Sequence, residues 1–290
     1  MTDFEKIKNY YKHFDEKNRL RNDNSGKLEI KDFSEQEDKD FWISKIRESD
    51  WRAGKYLSDL LESGEFYKLY GKDSKVFLLV DDTDLISFCT FAEKDDVPDT
   101  DLTPWVGFVY TFPQFRGKRR IGKLIEHIYR LAKKDGFKNL YISTDQPGLY
   151  ENFGCTFEKK LKDRWNEETL VYKLPIVSND YSNIIGQPVK GKIDRPLGSA
   201  HPRHPEMIYP INYGYVSDVF AGDGAEQDVY VFGTDQPLTE YEGKVIAVYH
   251  RINDCEDKWI VSLGDKEPTD EDILEKISFQ EQYFMGELYR

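Results

Sequence analysis

The sequence predicts an α/β (α+β) protein of two units: a mixed sheet with helices, then a small five-stranded β-barrel with a terminal helix. Three observations predict it. A strand over 106–112 runs into a basic glycine turn, Arg116-Gly-Lys-Arg-Arg-Ile-Gly122, and then an amphipathic helix over 123–134. The stretch 175–183 is polar, contains a proline, and lacks periodicity, so it reads as a linker. Beyond it, short strands alternate with clusters of turn residues, the pattern of a small barrel.

The elements follow in order. Residues 1–25 are charged, with helical spacing through Tyr10, Tyr11 and Phe14, and read as a helix or a docked arm. Leu28-Glu-Ile-Lys-Asp-Phe33 alternates as a strand. Helices are expected over 35–48 and 51–62, the second stopped by Gly64. Val76-Phe-Leu-Leu-Val80 and Leu85-Ile-Ser-Phe-Cys-Thr-Phe91 flank Asp81-Asp-Thr-Asp84 as a hairpin, and the strand over 106–112 makes a meander of three. After the helix ending at Gly136 come a buried strand over 139–144, a short helix at Tyr150, and strands over 157–161 and 170–174. The barrel strands are expected over 189–193, 213–219, 228–232, 245–250 and 259–263. A helix over 271–283 follows, its acidic start suiting the helix dipole.

At 290 residues the chain is long for one core and sufficient for two. The first unit is taken as 1–174 with its core over 28–174, the linker as 175–183, and the second unit as 184–290. Charge divides unevenly: residues 1–180 carry 31 Lys and Arg against 34 Asp and Glu, whereas 181–290 carry 10 against 20. That acidic half disfavours nucleic acid as a partner, because phosphate binding needs a basic face. No apolar run approaches the ~20 residues of a membrane span, so no membrane partner is expected. The N-terminus lacks the apolar core of a secretory signal, and Cys89, Cys155 and Cys255 are too dispersed for a disulfide or zinc pattern. A cytoplasmic protein with three cysteines as small packing residues is the expectation.

The chemistry concentrates around the turn. A turn that opens a helix leaves backbone N–H groups unpaired at the positive end of the helix dipole, a seat for phosphate. Arg116, Lys118, Arg119 and Arg120 crowd it, and Gly148-Leu-Tyr-Glu-Asn-Phe-Gly154 follows at a distance that brings in Tyr150. This order of strand, turn and tyrosine, together with Pro113-Gln-Phe-Arg-Gly-Lys118, resembles the GNAT N-acetyltransferase superfamily over residues 28–174. The resemblance implies acetyl-CoA as donor and direct transfer to an amine. It implies that Val109, Tyr110 and Thr111 offer strand-like backbone groups to the pantetheine arm. It also implies that Arg116, Gly117, Lys118, Arg119, Arg120, Ile121, Gly122 and Lys123 hold the pyrophosphate. Tyr150 matches the family's general acid, and Glu93, at the end of the hairpin, is the candidate base. The turn departs from the family spacing: Arg119 and Ile121 stand at its usual glycine positions, with Gly122 one residue late. Asp81, Asp82, Asp95 and Asp96 are further carboxylates, read either as solvated turn residues or as groups that attract a protonated amine.

Residues 184–284 resemble the soluble inorganic pyrophosphatases through Ile208-Tyr-Pro-Ile-Asn-Tyr-Gly-Tyr215, Ala221-Gly-Asp-Gly-Ala-Glu-Gln-Asp228 and Asn253-Asp-Cys-Glu-Asp-Lys258. The resemblance implies an OB-like barrel, Mg²⁺ held by Asp223, Asp228 and Asp254, and phosphate held by Tyr209, Tyr213, Lys258 and Tyr283. Ala225 stands where the family has its central carboxylate, and His201, Arg203 and His204 fill the place of a basic hairpin. The leading expectation is an acetyl-CoA-dependent N-acetyltransferase acting on a primary amine of a small molecule, fused to a diverged pyrophosphatase-like barrel. The alternatives are a Mg²⁺-dependent hydrolase of pyrophosphate or phosphoesters with a coenzyme-sensing N-terminal unit, and a barrel serving interaction or homodimerisation.

Overall fold

A computed structural model describes residues 28–264 and 267–290; the helix or arm expected over 1–25 lies outside them. Two sheets account for the fold. The first has seven strands in the order β1-β2-β3-β4-β5-β7-β6: Leu28–Asp32, Lys75–Asp81, Asp84–Ala92, Trp105–Thr111, Asn139–Thr144, Glu168–Pro175 and Thr156–Lys162. Every pair is antiparallel except β4 with β5, which the chain joins through a helix. The hairpin between β2 and β3 turns at Asp82, whose φ of 55° is a left-handed conformation that aspartate tolerates.

Helices α1 (Lys39–Arg47), α2 (Arg52–Ser63) and α3 (Phe66–Tyr70) cover one face of this sheet, and α4 (Arg120–Lys134) covers the other. Asp38 caps α1 by accepting from Phe41 N–H at 2.9 Å. Gly64 ends α2 with φ 72°, as the sequence predicts. The five-residue α3 was not expected; it is too short to establish a helical period. Along β2, Phe77 and Leu79 face α4, whereas Val76, Leu78 and Val80 face α2 and α3. A strand covered on both faces has to be apolar throughout, which explains its unbroken run.

The second sheet takes β8 (Pro188–Arg195), β9 (Asn212–Phe220), β10 (Glu226–Phe232), β11 (Glu240–Arg251) and β12 (Lys258–Ser262). Because β12 pairs with both β10 and β11, these five close into a barrel. Helix α5 (Asp270–Glu281) opens with a capping box between Thr269 and Asp272. A four-residue strand not foreseen in the sequence, β13 (Gly286–Tyr289), then pairs with the end of β11.

The segment read as a linker is pinned at both ends. Ile176 N–H donates to Lys138 at 2.8 Å and Val177 N–H to the Tyr129 hydroxyl at 3.0 Å, while Tyr181 donates to Asp257 at 2.5 Å. Met285, from the barrel side, is buried in the same core as Leu124, Ile128 and Phe153 of the first unit. Cys89 and Cys155 are buried packing residues; Cys255 is exposed, contrary to expectation, because it lies in the short turn between β11 and β12. Among the described residues no helix is long and apolar enough to cross a membrane.

Candidate active site

The crossover strands do not stay together. β4 and β5 pair at Trp105 with Tyr141 and nowhere beyond, so the inner edge of β4 opens onto a cleft of about 1390 Å³. A β-bulge sits at the opening. Thr90 of β3 opposes Gly107 and Phe88 opposes Tyr110, leaving Phe108 and Val109 facing Cys89 alone, with Phe108 at φ 48°. The kink directs the backbone of 107–111 into the cleft, where its N–H and C=O groups can pair with an extended ligand as with another strand. Side chains hold this edge in place: Ser87 donates to the Tyr110 carbonyl at 2.5 Å, and Tyr110, stacked on Trp51, donates to Asp50.

At the end of β4 the chain reaches the turn. Gly117 has φ 79° and Arg119 φ 52°, and helix α4 starts at Arg120, three residues before the predicted start. No side chain caps α4; Arg120 and Ile121 at its start line the cleft, while the Gly122 N–H donates to the Arg119 carbonyl at 3.0 Å. Arg116 folds back, donating to the Thr111 carbonyl at 2.9 Å with its guanidinium over the Tyr110 ring. Arg119 donates to the Asn152 carbonyl at 3.0 Å and covers Phe153. Arg120 and Ile121 line the cleft, whereas Lys118, Gly122 and Lys123 line the side facing the barrel. The displaced glycine has a packing reason: a Cβ on Gly122 would stand 2.9 Å from the Phe153 ring. Arg119 itself adopts the left-handed conformation that a glycine would supply at that position.

Tyr150 begins a 3-10 turn, Tyr150–Phe153, and lines the cleft. Burial, then the neighbouring Cys155 and Cys89, push its hydroxyl above the usual phenol range. A tyrosine so placed stays protonated at neutral pH and is a donor.

Glu93 is not in the cleft. It is exposed and packs on Gly71, whose Cβ would stand 2.6 Å from that of Glu93. The chain turns after β3, and the residues that reach the cleft are Asp95 and Asp96. The Ser143 hydroxyl donates to Asp95, and burial raises its carboxyl to about 6, the nearby charge of Asp96 adding to the rise. Asp96 is engaged, accepting from Tyr70 at 2.6 Å and paired with Arg164 at 2.8 Å. Exposed Trp51, Trp165, Asp145 and Glu167 stand around the cleft.

The barrel gathers only part of its predicted set. Tyr213 donates to Asp228, Lys258 pairs with Asp228 at 2.5 Å and with Glu256 at 2.7 Å, and Tyr209 lies 5.5 Å from Tyr213 by ring centroids. Tyr283 is elsewhere, in the cavity beside α4. The three carboxylates expected to hold metal have other partners or lie apart. Asp228 is engaged by Lys258, Asp254 is tied to Arg251 at 2.8 Å, and Asp223 is an exposed turn residue accepting from Ala225 N–H. Among the described residues no group of three or more His, Cys, Asp or Glu stands close enough to hold a metal ion.

Comparison with known proteins gives the following similarities. Residues 38–155 match the model of the Acetyltransferase (GNAT) family, and that segment is a GNAT domain. An N-acetyltransferase from Staphylococcus aureus is 14% identical, with 53% of this chain and 100% of that one covered, at a TM-score of 0.37. An acetyltransferase from Streptococcus agalactiae is 16% identical, with 50% and 96% covered, also at 0.37. An inorganic pyrophosphatase from Neisseria gonorrhoeae matches the barrel, 21% identical, with 36% of this chain and 81% of that one covered, at 0.28. No curated protein matches the chain. The GNAT domain supports acyl transfer as the chemistry of the first unit.

Proposed function

We propose that the protein is an N-acetyltransferase that takes its acetyl group from acetyl-CoA and delivers it to a primary amine of a small molecule. The observation that carries this reading is one cleft combining an unpaired β4 edge, an uncapped helix start, a protonated tyrosine and a carboxylate raised to about 6. The residues fit the coenzyme: the backbone of Val109, Tyr110 and Thr111 for its amide arm, and the N–H groups opening α4, with Arg116, Arg119 and Arg120, for its phosphates. When bound, the coenzyme supplies an activated acetyl thioester.

The chain's own groups do the rest. Asp95 takes the proton from the incoming ammonium, making the amine a nucleophile, and replaces Glu93 as the base. Tyr150 gives its proton to the departing sulfur. Asp145 and Glu167 at the cleft draw a cationic acceptor in. The test is calorimetry with acetyl-CoA followed by transfer of labelled acetyl to a panel of amines. Micromolar binding and transfer to at least one small amine are expected, whereas no heat at millimolar coenzyme contradicts the reading.

A further inference from the structure

The basic turn has a second face. Between the start of α4 and the end of α5 lies a cavity of about 390 Å³, within the roughly 300–1,000 Å³ of small-molecule pockets. The transferase wall carries Lys118, Arg119, Lys123 and Glu126, the last paired with Arg130; the barrel wall carries Leu274, Ser278, Gln282 and Glu281, the last paired with Arg251. Arg119 and Phe153 border both this cavity and the catalytic cleft, so the two adjoin at the N-cap of α4. The barrel wall is fixed in place. Arg251 and Glu281 form a buried pair at 2.8 Å, Arg251 lies 3.6 Å over the Phe284 ring, and Met285 inserts into the transferase core.

We propose, resting on the coenzyme reading above, that the barrel completes the coenzyme site, and that this cavity takes the 3′-phosphoadenosine end of coenzyme A. With the thioester beside Tyr150, the amide arm on β4 and the pyrophosphate on the turn, the nucleotide end has to continue past Arg119. There it meets what its chemistry requires. Exposed Lys123 faces the cavity to meet a phosphate dianion, while Leu274 and Tyr283 offer apolar surface to a purine. Ser278 and Gln282 stand at the exposed edge, where they can hydrogen-bond a base or ribose. The acidic barrel is thus a second wall of the donor site, contributed by one chain.

The test is calorimetric titration of the full chain with coenzyme A and with 3′-dephospho-coenzyme A. Coenzyme A is expected to bind about tenfold more tightly, the worth of one charge-assisted hydrogen bond. Ser278→Glu, an exposed substitution on the barrel helix, is expected to abolish that preference while the protein melts at the wild-type temperature. Lys123→Glu is expected to do the same from the opposite wall. Equal affinity for the two forms, or a preference that survives Ser278→Glu, overturns the barrel's role and leaves the transferase reading standing. Absence of binding by either form overturns both.

Discussion

In the proposed mechanism Tyr150 and Asp95 divide the proton work, and each makes a distinct prediction. Replacing Tyr150 by Phe removes the donor without changing shape, so kcat is expected to fall about 10²-fold or more while calorimetric affinity for coenzyme A is unchanged. Asp95 acts as a base only when ionised. With its carboxyl at about 6, kcat/KM is expected to fall as pH drops through that value and to level off above it. Asp95→Asn should remove this limb and lower the plateau. A wild-type profile flat from pH 5 to 8 would exclude Asp95. The place of Tyr150 on the cleft was legible because it sits inside a motif, whereas Asp95 was legible only as charge. The sequence cannot reveal that the chain turns outward after Ala92, putting Glu93 on Gly71 and the carboxylate two residues later against Ser143. The partners of the barrel carboxylates were hidden for a related reason: those of Asp228 and Asp254 are a lysine on β12 and an arginine on β11.

At the scale of elements, the register of strand, turn and helix was written plainly in the sequence, because the residues burying α4 repeat at helical spacing and those of β2 are apolar without interruption. The splay of β4 from β5 was not, since nothing local marks where a parallel pair stops. The Gly122 position sharpens the reading of the turn. Sequence spacing made this glycine look displaced from a phosphate loop; the structure gives it to the contact between α4 and Phe153. Gly122→Ala is therefore expected to destabilise the fold by about 1–3 kcal/mol through overpacking, lowering the melting temperature. If the alanine variant melts like wild type, the close approach of helix and 3-10 turn is wrong.

For the whole molecule, the two sheets were separable in the sequence by composition and periodicity, but their union was not. Met285 and Ile252, from the barrel side, pack with the core that also buries α4, and Lys133 pairs with Glu287 of β13 at 2.5 Å. These contacts join residues more than a hundred positions apart, beyond any local pattern. Met285→Ala is expected to cost about 2–5 kcal/mol, and calorimetric melting should show the sheets losing stability together. Two resolved transitions, with only the barrel affected, would mean that the units are independent. Amide hydrogen exchange of the full chain, with and without saturating coenzyme A, tests most directly whether the β4 edge and the opening of α4 hold the coenzyme. Slowed exchange is predicted over 107–111 and 117–123, the edge of β4 and the opening of α4. Protection absent from both segments, or confined to the barrel strands, would contradict the account.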